Sequence, residues 1–346
     1  MNKNILVLGA NGFIGSALVA RLVKQANCFV EGIDVNDFNL LNVRKSKNFL
    51  FRNIDALSNT QEIECAIKRA DVVLPLIAIA TPATYVKNPL KVFELDFELN
   101  SQIVKLCAKY NKRLVFPSTS EVYGMCEDAE FDECKSKFLL GAIKNERWIY
   151  SNIKQLLDRL IWAYGKHEGL SFTIFRPFNF IGARLDSQEQ AKQNSARVIT
   201  QFVYNILNLR PLKLVNGGNQ KRSFTYISDG IDCLMKILEN RNGCANSQIF
   251  NIGNPTQICS IKELAEILIS EVAKYPDFAH LSQNAKIELV SGADYYAEGY
   301  QDVECRVPSI TRAKELLGWS PKIDLQTAIK HILNFHLLGK EDENCL

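Results

Sequence analysis

Short apolar segments rich in β-branched residues alternate with segments of helical periodicity through the first half of the chain. A short apolar run between polar or glycine residues predicts a buried strand, whereas apolar positions three or four residues apart predict a helix. The predicted strands are Ile5 to Leu8, Phe29 to Ile33, a third strand before Asp55, Val72 to Leu76, Leu114 to Phe116 and Phe172 to Phe175. The predicted helices begin at Phe13 and near Trp148, and two more end before Ala70 and before Tyr110. This alternation predicts an α/β fold built on a Rossmann-like, doubly wound parallel sheet.

The pattern changes after Pro177, where a polar stretch runs from Asn179 to Asn194 and strands and helices then mix irregularly. A single core stops growing near about 250 to 300 residues, so a chain of 346 residues can hold two units. We therefore predict a Rossmann domain over residues 1–178, with some later segments crossing back into it. A smaller α/β lobe is predicted over residues 179–340.

Composition narrows the class of protein. With 47% hydrophobic and 23% charged residues and a net charge of +3, the chain is typical of a globular protein and not of one that coats nucleic acid. The longest apolar stretch, Val72 to Ala80, is interrupted by Pro75 and is too short to span a membrane. The ten cysteines are scattered, and Ile5 to Leu8 predicts a strand instead of a secretory leader. We expect reduced thiols and a cytoplasmic protein.

A metal site is not expected. The sequence has no C-x-x-C pair, and His331 and His336 stand at a spacing that puts them on different faces of a helix.

A glycine loop follows the first predicted strand and opens the first predicted helix. Its sequence is Gly9-Ala10-Asn11-Gly12-Phe13-Ile14-Gly15, and this context is typical of a dinucleotide site in which a pyrophosphate lies against the helix N-terminus. Asp34 ends the second strand, where a carboxylate can accept hydrogen bonds from both ribose hydroxyls. We predict NAD instead of NADP because a 2'-phosphate would face Asp34. Asp55 and Ala56 are predicted to lie beside the adenine.

Tyr150 and Lys154 form a Y-x-x-x-K pair on one face of a predicted helix. Together with the glycine loop, this spacing predicts a hydride-transfer site. Free tyrosine titrates near about 10, so a tyrosine that acts as a base at neutral pH needs a lowered pKa. We expect Lys154 and the oxidised nicotinamide to supply the positive charge, and Thr119 to bind the substrate hydroxyl that loses its proton.

These motifs resemble the extended short-chain dehydrogenase/reductase family that modifies nucleotide sugars. Over nearly the whole chain the closest resemblance is to the UDP-glucuronic acid oxidative decarboxylases, which form one half of the bifunctional aminoarabinose-pathway enzymes. The segments that carry it are Leu74 to Pro82, Phe93 to Asp96, Pro117 to Cys126, Arg147 to Tyr150, Phe175 to Asn179 and Tyr300 to Ile310. The resemblance implies a cofactor lobe, a smaller sugar-nucleotide lobe, and oxidation and decarboxylation of UDP-glucuronic acid to a UDP-4-keto-pentose with release of NADH. Because the formyltransferase half has no counterpart, a role in lipid A modification is less well supported than the reaction.

Ser120 and Glu121 stand where the related dehydratases carry an Asp-Glu pair. An acid at the first position would repel a glucuronate carboxylate, whereas Ser120 offers a neutral hydrogen-bond donor. Once the 4-hydroxyl is a ketone, the 6-carboxylate belongs to a β-keto acid and can leave as carbon dioxide after little more than positioning and desolvation. The resemblance implies that Arg306 binds the carboxylate and returns a proton, and that Glu121 is the proton acceptor. Because arginine is a weak acid, a water oriented by Arg306 is an alternative proton donor.

The resemblance also implies substrate contacts and an assembly. Besides Thr119 and Ser120, the expected substrate-binding residues are Ala80, Tyr85, Arg147, Asn179, Arg197, Lys213, Lys221, Arg222 and Tyr300. We expect the Asn179 amide to bond a phosphate and Arg197 to bind one through two hydrogen bonds. A homodimer is expected through the helices that contain Asn100 to Lys109 and Tyr150 to Ala163, although Leu156, Leu160 and Trp162 could equally belong to the core.

Other functions stay open at this point. UDP-xylose synthase chemistry, in which NADH stays bound and reduces the keto-pentose, shares the segment with Ser120 and Glu121. A nucleotide-sugar 4-epimerase and a non-catalytic NAD-binding regulator are further alternatives. The presence of all three expected catalytic residues, Thr119, Tyr150 and Lys154, argues against a non-catalytic regulator.

Overall fold

The computed structural model describes residues 3–296 and 301–340. From the amino terminus, its strands are β1 (Lys3–Leu8), β2 (Cys28–Asp34), β3 (Phe49–Asn53), β4 (Val72–Pro75), β5 (Arg113–Pro117), β6 (Phe172–Pro177), β7 (Phe180–Ile181), β8 (Leu212–Val215), β9 (Lys221–Ser223), β10 (Thr225–Tyr226), β11 (Gln248–Ile252), β12 (Ile258–Ser260), β13 (Ile287–Val290) and β14 (Cys305–Arg306).

Its α-helices are α1 (Phe13–Leu22), α2 (Thr60–Arg69), α3 (Pro82–Lys87), α4 (Pro89–Val92), α5 (Asn100–Lys109), α6 (Trp148–Glu168), α7 (Gln188–Lys192), α8 (Val198–Leu207), α9 (Ile227–Glu239), α10 (Ile261–Val272), α11 (Ala279–Gln283), α12 (Gly292–Tyr296), α13 (Thr311–Leu317) and α14 (Leu325–Leu338). A π-helical stretch, Phe93–Leu99, joins α4 to α5. Short 3₁₀ turns occupy Phe38–Leu40, Ser120–Tyr123, Asn216–Gly218, Arg241–Gly243 and Pro276–Phe278.

Seven parallel strands form the central sheet in the order β3-β2-β1-β4-β5-β6-β11. The predicted parallel, doubly wound α/β fold is therefore confirmed, and the predicted strands differ from the observed ones by one or two residues at their ends. The strand order reverses between β1 and β4, and ligands of such sheets bind at the carboxyl ends of the strands beside this point. The edge strand β11 is a late segment that returns to the sheet. The boundary at residue 178 stays a prediction.

Both faces of the sheet are buried, which explains why its strands are nearly continuous apolar runs. Neighbouring residues of a strand point to opposite faces, so Val7 faces one core cluster and Leu8 the other. Leu18 of α1 and Leu234 of α9 belong to the first cluster, and Leu157 of α6 belongs to the second. The long helix α6 is thereby fixed against the sheet along its length.

Shorter strands after β6 build the surroundings of the carboxyl edge. In the three-stranded sheet β12-β9-β14, β9 lies in the middle and pairs in parallel with β14. This register places Arg306 opposite Arg222. Two further pairs, β10 with β7 and β13 with β8, are parallel. The pairing of β14 with β9 brings Arg306, which is distant in sequence, next to Arg222 on β9.

Two further observations concern the described residues. Among residues 3–296 and 301–340, no helix is long and apolar enough to cross a membrane. The nine cysteines within these ranges are all unpaired.

Candidate active site

Glycine is required at two positions of the loop after β1. Gly9 has φ +79°, and a Cβ on this residue would lie 2.9 Å from backbone atoms of Leu76 and Ile77. A Cβ on Gly15 would lie 2.2 Å from the carbonyl oxygen of Gly9. Any side chain at either position would therefore force the turn away from β4 or from helix α1.

The first turn of α1 has no side-chain cap. Gly12 is the N-cap residue and offers no side-chain acceptor to the N–H groups that follow, which include those of Phe13 and Ile14. Uncapped N–H groups at a helix N-terminus bind anions, and the helix dipole adds to the attraction. The pyrophosphate of a dinucleotide fits this position.

Asp34 borders the same loop from the end of β2. Its two carboxylate oxygens accept hydrogen bonds from the N–H groups of Asn11 at 2.8 Å and Val35 at 2.7 Å. Burial raises the pKa of Asp34, and these backbone N–H groups oppose the rise. Each oxygen keeps a lone pair that a ribose hydroxyl can use.

Two asparagines near this site were not singled out from the sequence. The side chain of Asn11 donates to Asn36 and accepts from the N–H of Asn39 at 2.7 Å, and the amide of Asn39 donates to the carbonyl of Asn11 at 2.9 Å. The only signal in the sequence is that Asn36 and Asn39 closely follow Asp34. They fix the glycine loop against the segment after β2.

Asp55 and Ala56 follow β3 at the same edge of the sheet. The carboxylate of Asp55 accepts hydrogen bonds from the N–H of Leu57 at 3.1 Å and the hydroxyl of Ser58 at 2.9 Å, and Ala56 is buried. Asp55 therefore stabilises its own turn. Its place beside the adenine stays a prediction.

Replacing Asp34 with Ala is expected to raise the Kd for NAD about tenfold or more and to change the Kd for NADP far less, because a charged acceptor of the ribose hydroxyls is lost. Titration calorimetry with both cofactors measures the ratio. Asp55→Ala, which removes a neighbouring carboxylate, should leave the ratio unchanged. If the wild type bound NADP as tightly as NAD, the ribose assignment would be wrong.

Tyr150 and Lys154 lie buried on α6 beneath the end of β5. The Lys154 ammonium donates to the Pro117 carbonyl at 3.0 Å and lies 5.8 Å from the centre of the Tyr150 ring. The Tyr150 ring stacks on Tyr85 with centres 4.5 Å apart and planes 7° apart, and its hydroxyl interacts with Thr119 and Tyr85. The structure therefore brings Thr119, Tyr85 and the Y-x-x-x-K pair together.

The pKa of Tyr150 differs from the expectation of a lowered value. Burial raises it strongly, and the carboxylates of Asp96 and Glu121 raise it further. Burial also lowers the pKa of Lys154, so this ammonium alone does not reverse the effect. A lowered pKa of Tyr150 would therefore require further positive charge, which the ring of a bound oxidised nicotinamide would carry.

A partly buried carboxylate between two buried arginines forms the second part of the site. Glu121 accepts hydrogen bonds from Arg147 at 2.7 Å and from Arg306 at 2.5 Å. Burial alone would raise the pKa of Glu121, but the charges of Arg147 and Arg306 outweigh burial and lower the pKa to about 2. We call these three residues the arginine–glutamate centre. In this state Glu121 is a counter-charge, which differs from the proton-acceptor role that the resemblance implies.

A hydrogen-bond donor of Arg306 lacks an acceptor. Within the described part of the chain, the buried Nε of Arg306 has no hydrogen-bond partner. Ser120, which is 4% exposed, precedes Glu121 at the start of the 3₁₀ turn. The Nε of Arg306 can therefore donate to an acceptor on a ligand, and an anionic acceptor would suit the charge of this guanidinium.

The remaining predicted substrate residues differ in their exposure and in their partners. Arg222 is buried and pairs with Asp302 at 2.6 Å, and its charge also acts on Glu121. Ala80 is exposed after β4. Lys213 on β8 and Lys221 on β9 have no hydrogen bond or ion pair through their side chains to other described residues. Tyr300 lies outside the described residues.

Two phosphate contacts expected from the sequence are occupied by protein partners. The Asn179 amide donates to the Ser223 carbonyl at 2.9 Å, and Asn179 itself has φ +39°. The Arg197 guanidinium pairs with Asp186 at 2.9 Å and donates to the Leu185 carbonyl. Both side chains are held by local partners that their sequence neighbourhood did not reveal. A phosphate would have to use their remaining donors.

A buried polar network that the sequence did not reveal supports the 3₁₀ turn Ser120–Tyr123. Arg176 donates to Asp158 at 2.9 Å and to the Tyr123 hydroxyl at 2.9 Å, and this hydroxyl donates to the Asn251 side chain at 2.8 Å. Ser118 also donates to Asp158 at 3.0 Å. Two features of the sequence could have indicated this network. Arg176 stands inside an apolar strand, and Asp158 follows Lys154 by four residues and so lies on the same helix face.

Gln301 was missed as well. Its backbone carbonyl accepts from Arg147, and its side-chain oxygen accepts from the Trp148 indole at 3.0 Å and the Asn145 amide at 3.1 Å. The residue next to Asp302 therefore links the segment that carries Arg306 to the start of α6. Nothing in the local sequence indicates such a contact.

Comparisons with known proteins place the chain in a wider context. The model of a family described as the NAD dependent epimerase/dehydratase family matches residues 5–253. The crystal structure of the PbgP3 protein from Burkholderia pseudomallei is 46% identical, covers 96% of both chains and has a TM-score of 0.87. UDP-glucuronic acid 4-epimerase from Bacillus cereus, solved with UDP-glucuronic acid and NAD, is 22% identical over 97% of this chain and 100% of that chain, with a TM-score of 0.80. The dTDP-glucose 4,6-dehydratase from Bacillus anthracis, solved with NAD, is 21% identical over 96% of both chains, with a TM-score of 0.77.

Proposed function

This chain belongs to the NAD-dependent epimerase/dehydratase family, and we propose that within it the chain oxidises and decarboxylates UDP-glucuronic acid to a UDP-4-keto-pentose, carbon dioxide and NADH. NAD is the cofactor of the family, as the glycine loop and Asp34 predicted. The proposal names a hexuronate as the substrate and includes the loss of carbon dioxide. Both of these points rest on the residues around Glu121.

The buried Nε of Arg306 carries the proposal. A buried N–H without an acceptor is costly, so this atom calls for a ligand that accepts its hydrogen bond. A carboxylate on the sugar would supply the acceptor together with a negative charge that attracts the Arg306 guanidinium. The 6-hydroxyl of a neutral hexose could accept a hydrogen bond but carries no charge, so the centre favours a hexuronate.

The first chemical step would use the residues around Tyr150. When bound, NAD accepts the hydride that leaves carbon 4 of the sugar. Tyr150 takes the proton of the 4-hydroxyl, and Thr119 holds that hydroxyl. Lys154, fixed by the Pro117 carbonyl, keeps a positive charge next to the ring that becomes a phenolate.

The second step would use the arginine–glutamate centre. The 4-ketone makes the sugar a β-keto acid, so the bond between carbons 5 and 6 can break, with its electron pair passing into an enolate across carbons 4 and 5. Arg306 holds the carboxylate until carbon dioxide leaves, and Ser120 donates a neutral hydrogen bond. A proton then returns to carbon 5, delivered from the Arg306 side.

Substrate binding would also change Glu121. If a substrate carboxylate pairs with Arg306, one of the charges that lower the pKa of Glu121 is shared. Its pKa then rises, and the proton-acceptor role implied by the resemblance becomes accessible. The burial of Thr119, Ser120 and Tyr150 keeps water from the enolate, which favours loss of carbon dioxide.

Incubation with UDP-glucuronic acid and NAD is expected to give carbon dioxide and NADH in equal amounts, with a UDP-4-keto-pentose as the product in mass spectrometry. UDP-xylose without net NADH would indicate the xylose synthase instead. A UDP-hexuronate epimer without carbon dioxide would indicate a 4-epimerase. Cofactor binding without turnover of any UDP-sugar would indicate a regulator.

We also propose that the chain forms a homodimer through α5 and α6. Its substrate would be the soluble sugar nucleotide. Leu156 and Trp162 on α6 are about half exposed, at 52% and 50%, so neither is the core residue that the sequence left open. Leu160, in contrast, packs against the core cluster of that face. Exposed apolar side chains on one long helix support a partner surface there.

A further inference from the structure

Asp96 is a buried acid beside the hydride-transfer site to which the proposed mechanism gives no role. It lies on the π-helical stretch Phe93–Leu99 and is completely buried. One carboxylate oxygen accepts the N–H of Ile79 at 2.8 Å. The other oxygen is buried and has no hydrogen-bond partner in the described part of the chain. Such an orphan acceptor calls for an explanation, because leaving it unpaired is costly.

The surroundings of Asp96 connect it to both parts of the cofactor site. Ile79 belongs to the segment after β4, whose Leu76 and Ile77 lie against Gly9 of the glycine loop. Asn100 binds the same region, with its amide 3.1 Å from the Asp96 carbonyl and 3.3 Å from the Ile77 carbonyl. On its other side, the π-helical stretch packs against α6, which carries Tyr150 and Lys154. The Asp96 carboxylate interacts electrostatically with both.

The π-helical geometry is part of this arrangement. A π-helical stretch inserts an extra residue into a helix and is frequent at functional sites. Here it joins α4 to α5 and carries Asp96 in its centre. The carboxylate therefore lies at the inner face of the helix, between the segment that borders the glycine loop and the Tyr150–Lys154 pair.

Asp96 carries a negative charge at neutral pH. Burial raises its pKa to about 6, while the charge of Lys154 and the N–H of Ile79 oppose the rise. Like Glu121, it raises the pKa of Tyr150, which by itself hinders the base. A bound nicotinamide ring in its oxidised form would bring a further positive charge to this carboxylate.

We propose that Asp96 selects the oxidised over the reduced cofactor through the charge of the nicotinamide ring. Hydride transfer requires this ring to lie within contact distance of the sugar carbon next to Tyr150, and so near Asp96. The ring is positive in NAD and neutral in NADH, so reduction removes the attraction to the carboxylate. NADH then binds less tightly and leaves after each turnover.

This inference deepens the proposed function, because release of NADH separates a keto-pentose-forming enzyme from one that reuses its NADH. It rests on the NAD site of the family and on Asp96, and it can be tested without a sugar nucleotide. A failure of the hexuronate proposal would leave its test unchanged.

The test is the ratio of the Kd for NADH to the Kd for NAD, measured by calorimetry on the full chain without UDP-sugar. Asp96→Asn keeps the oxygen that accepts from Ile79 and removes the charge. Its ratio is expected to fall about tenfold or more, the size of effect that one nearby charge has on a charged–neutral equilibrium. Glu94→Gln, which removes an exposed acid from the same π-helical stretch, should keep the wild-type ratio.

Asp96→Ser provides a second uncharged variant in case the Asn variant does not fold, and thermal unfolding identifies the folded ones. An equal change of both Kd values in the folded variant, or no change, would overturn the proposal and leave Asp96 as a structural support of Ile79. A fall of the ratio in Glu94→Gln as large as in Asp96→Asn would overturn it too, because a long-range effect of net charge would then suffice.

Discussion

Replacing Tyr150 with Phe is expected to lower kcat with UDP-glucuronic acid by about 10² to 10⁴-fold, the range that a general base typically supplies. The variant loses only the hydroxyl that takes the proton from the 4-hydroxyl of the sugar. The ring can remain stacked on Tyr85, so the fold and the binding of the sugar nucleotide should persist. NADH formation measures the turnover, and calorimetry measures the binding.

Tyr164→Phe is the matched control, since it removes a hydroxyl from the same helix at a position away from Lys154 and Thr119. It should keep turnover near the wild-type value. Turnover of Tyr150→Phe close to that of the wild type would show that another group accepts the proton.

Replacing Arg306 with Met should reduce product formation from UDP-glucuronic acid more than it weakens binding. Met keeps the bulk but removes the charge, so a substrate carboxylate loses a charged hydrogen bond worth about 1.5 to 3 kcal/mol, to which the lost catalytic contribution adds. The pKa of Glu121 should also rise, because one of the charges that lower it is removed while Arg147 and Arg222 remain. Carbon dioxide and NADH, followed together, separate loss of decarboxylation from loss of oxidation.

Two controls show whether the charge of Arg306 matters. UDP-glucose, which lacks the carboxylate, should be a poor substrate of the wild type and should lose little more with Arg306→Met. The double variant Arg306→Met with Glu121→Gln also removes the carboxylate that would repel the substrate carboxylate, and should bind UDP-glucuronic acid better than the single variant. Equal losses on both substrates would show that Arg306 is structural, and wild-type activity on UDP-glucose equal to that on UDP-glucuronic acid would remove the decarboxylase proposal.

Local features of the fold and of the cofactor site were determined by the sequence alone. The parallel sheet follows from apolar runs that alternate with helical periodicity, and both signals are local in the chain. The glycine loop and Asp34 could be recognised because a strand, a turn and a helix N-terminus are consecutive in sequence. Tyr150 and Lys154 share a helix face through their spacing, which needs no knowledge of the rest of the fold.

Only the tertiary structure shows which charged side chains lie close together in the candidate active site. Glu121 and Arg306 are 185 residues apart and meet because β14 pairs with β9 while the 3₁₀ turn follows β5. Asp96 reaches the hydride site through a π-helical stretch that has no sequence signature. A pKa depends on burial and on charges that arrive from distant segments, so the low pKa of Glu121 and the raised pKa of Tyr150 could not be predicted. The sequence also does not show that Ser223 and Asp186 accept hydrogen bonds from Asn179 and Arg197, which is why both side chains were expected to bind phosphate.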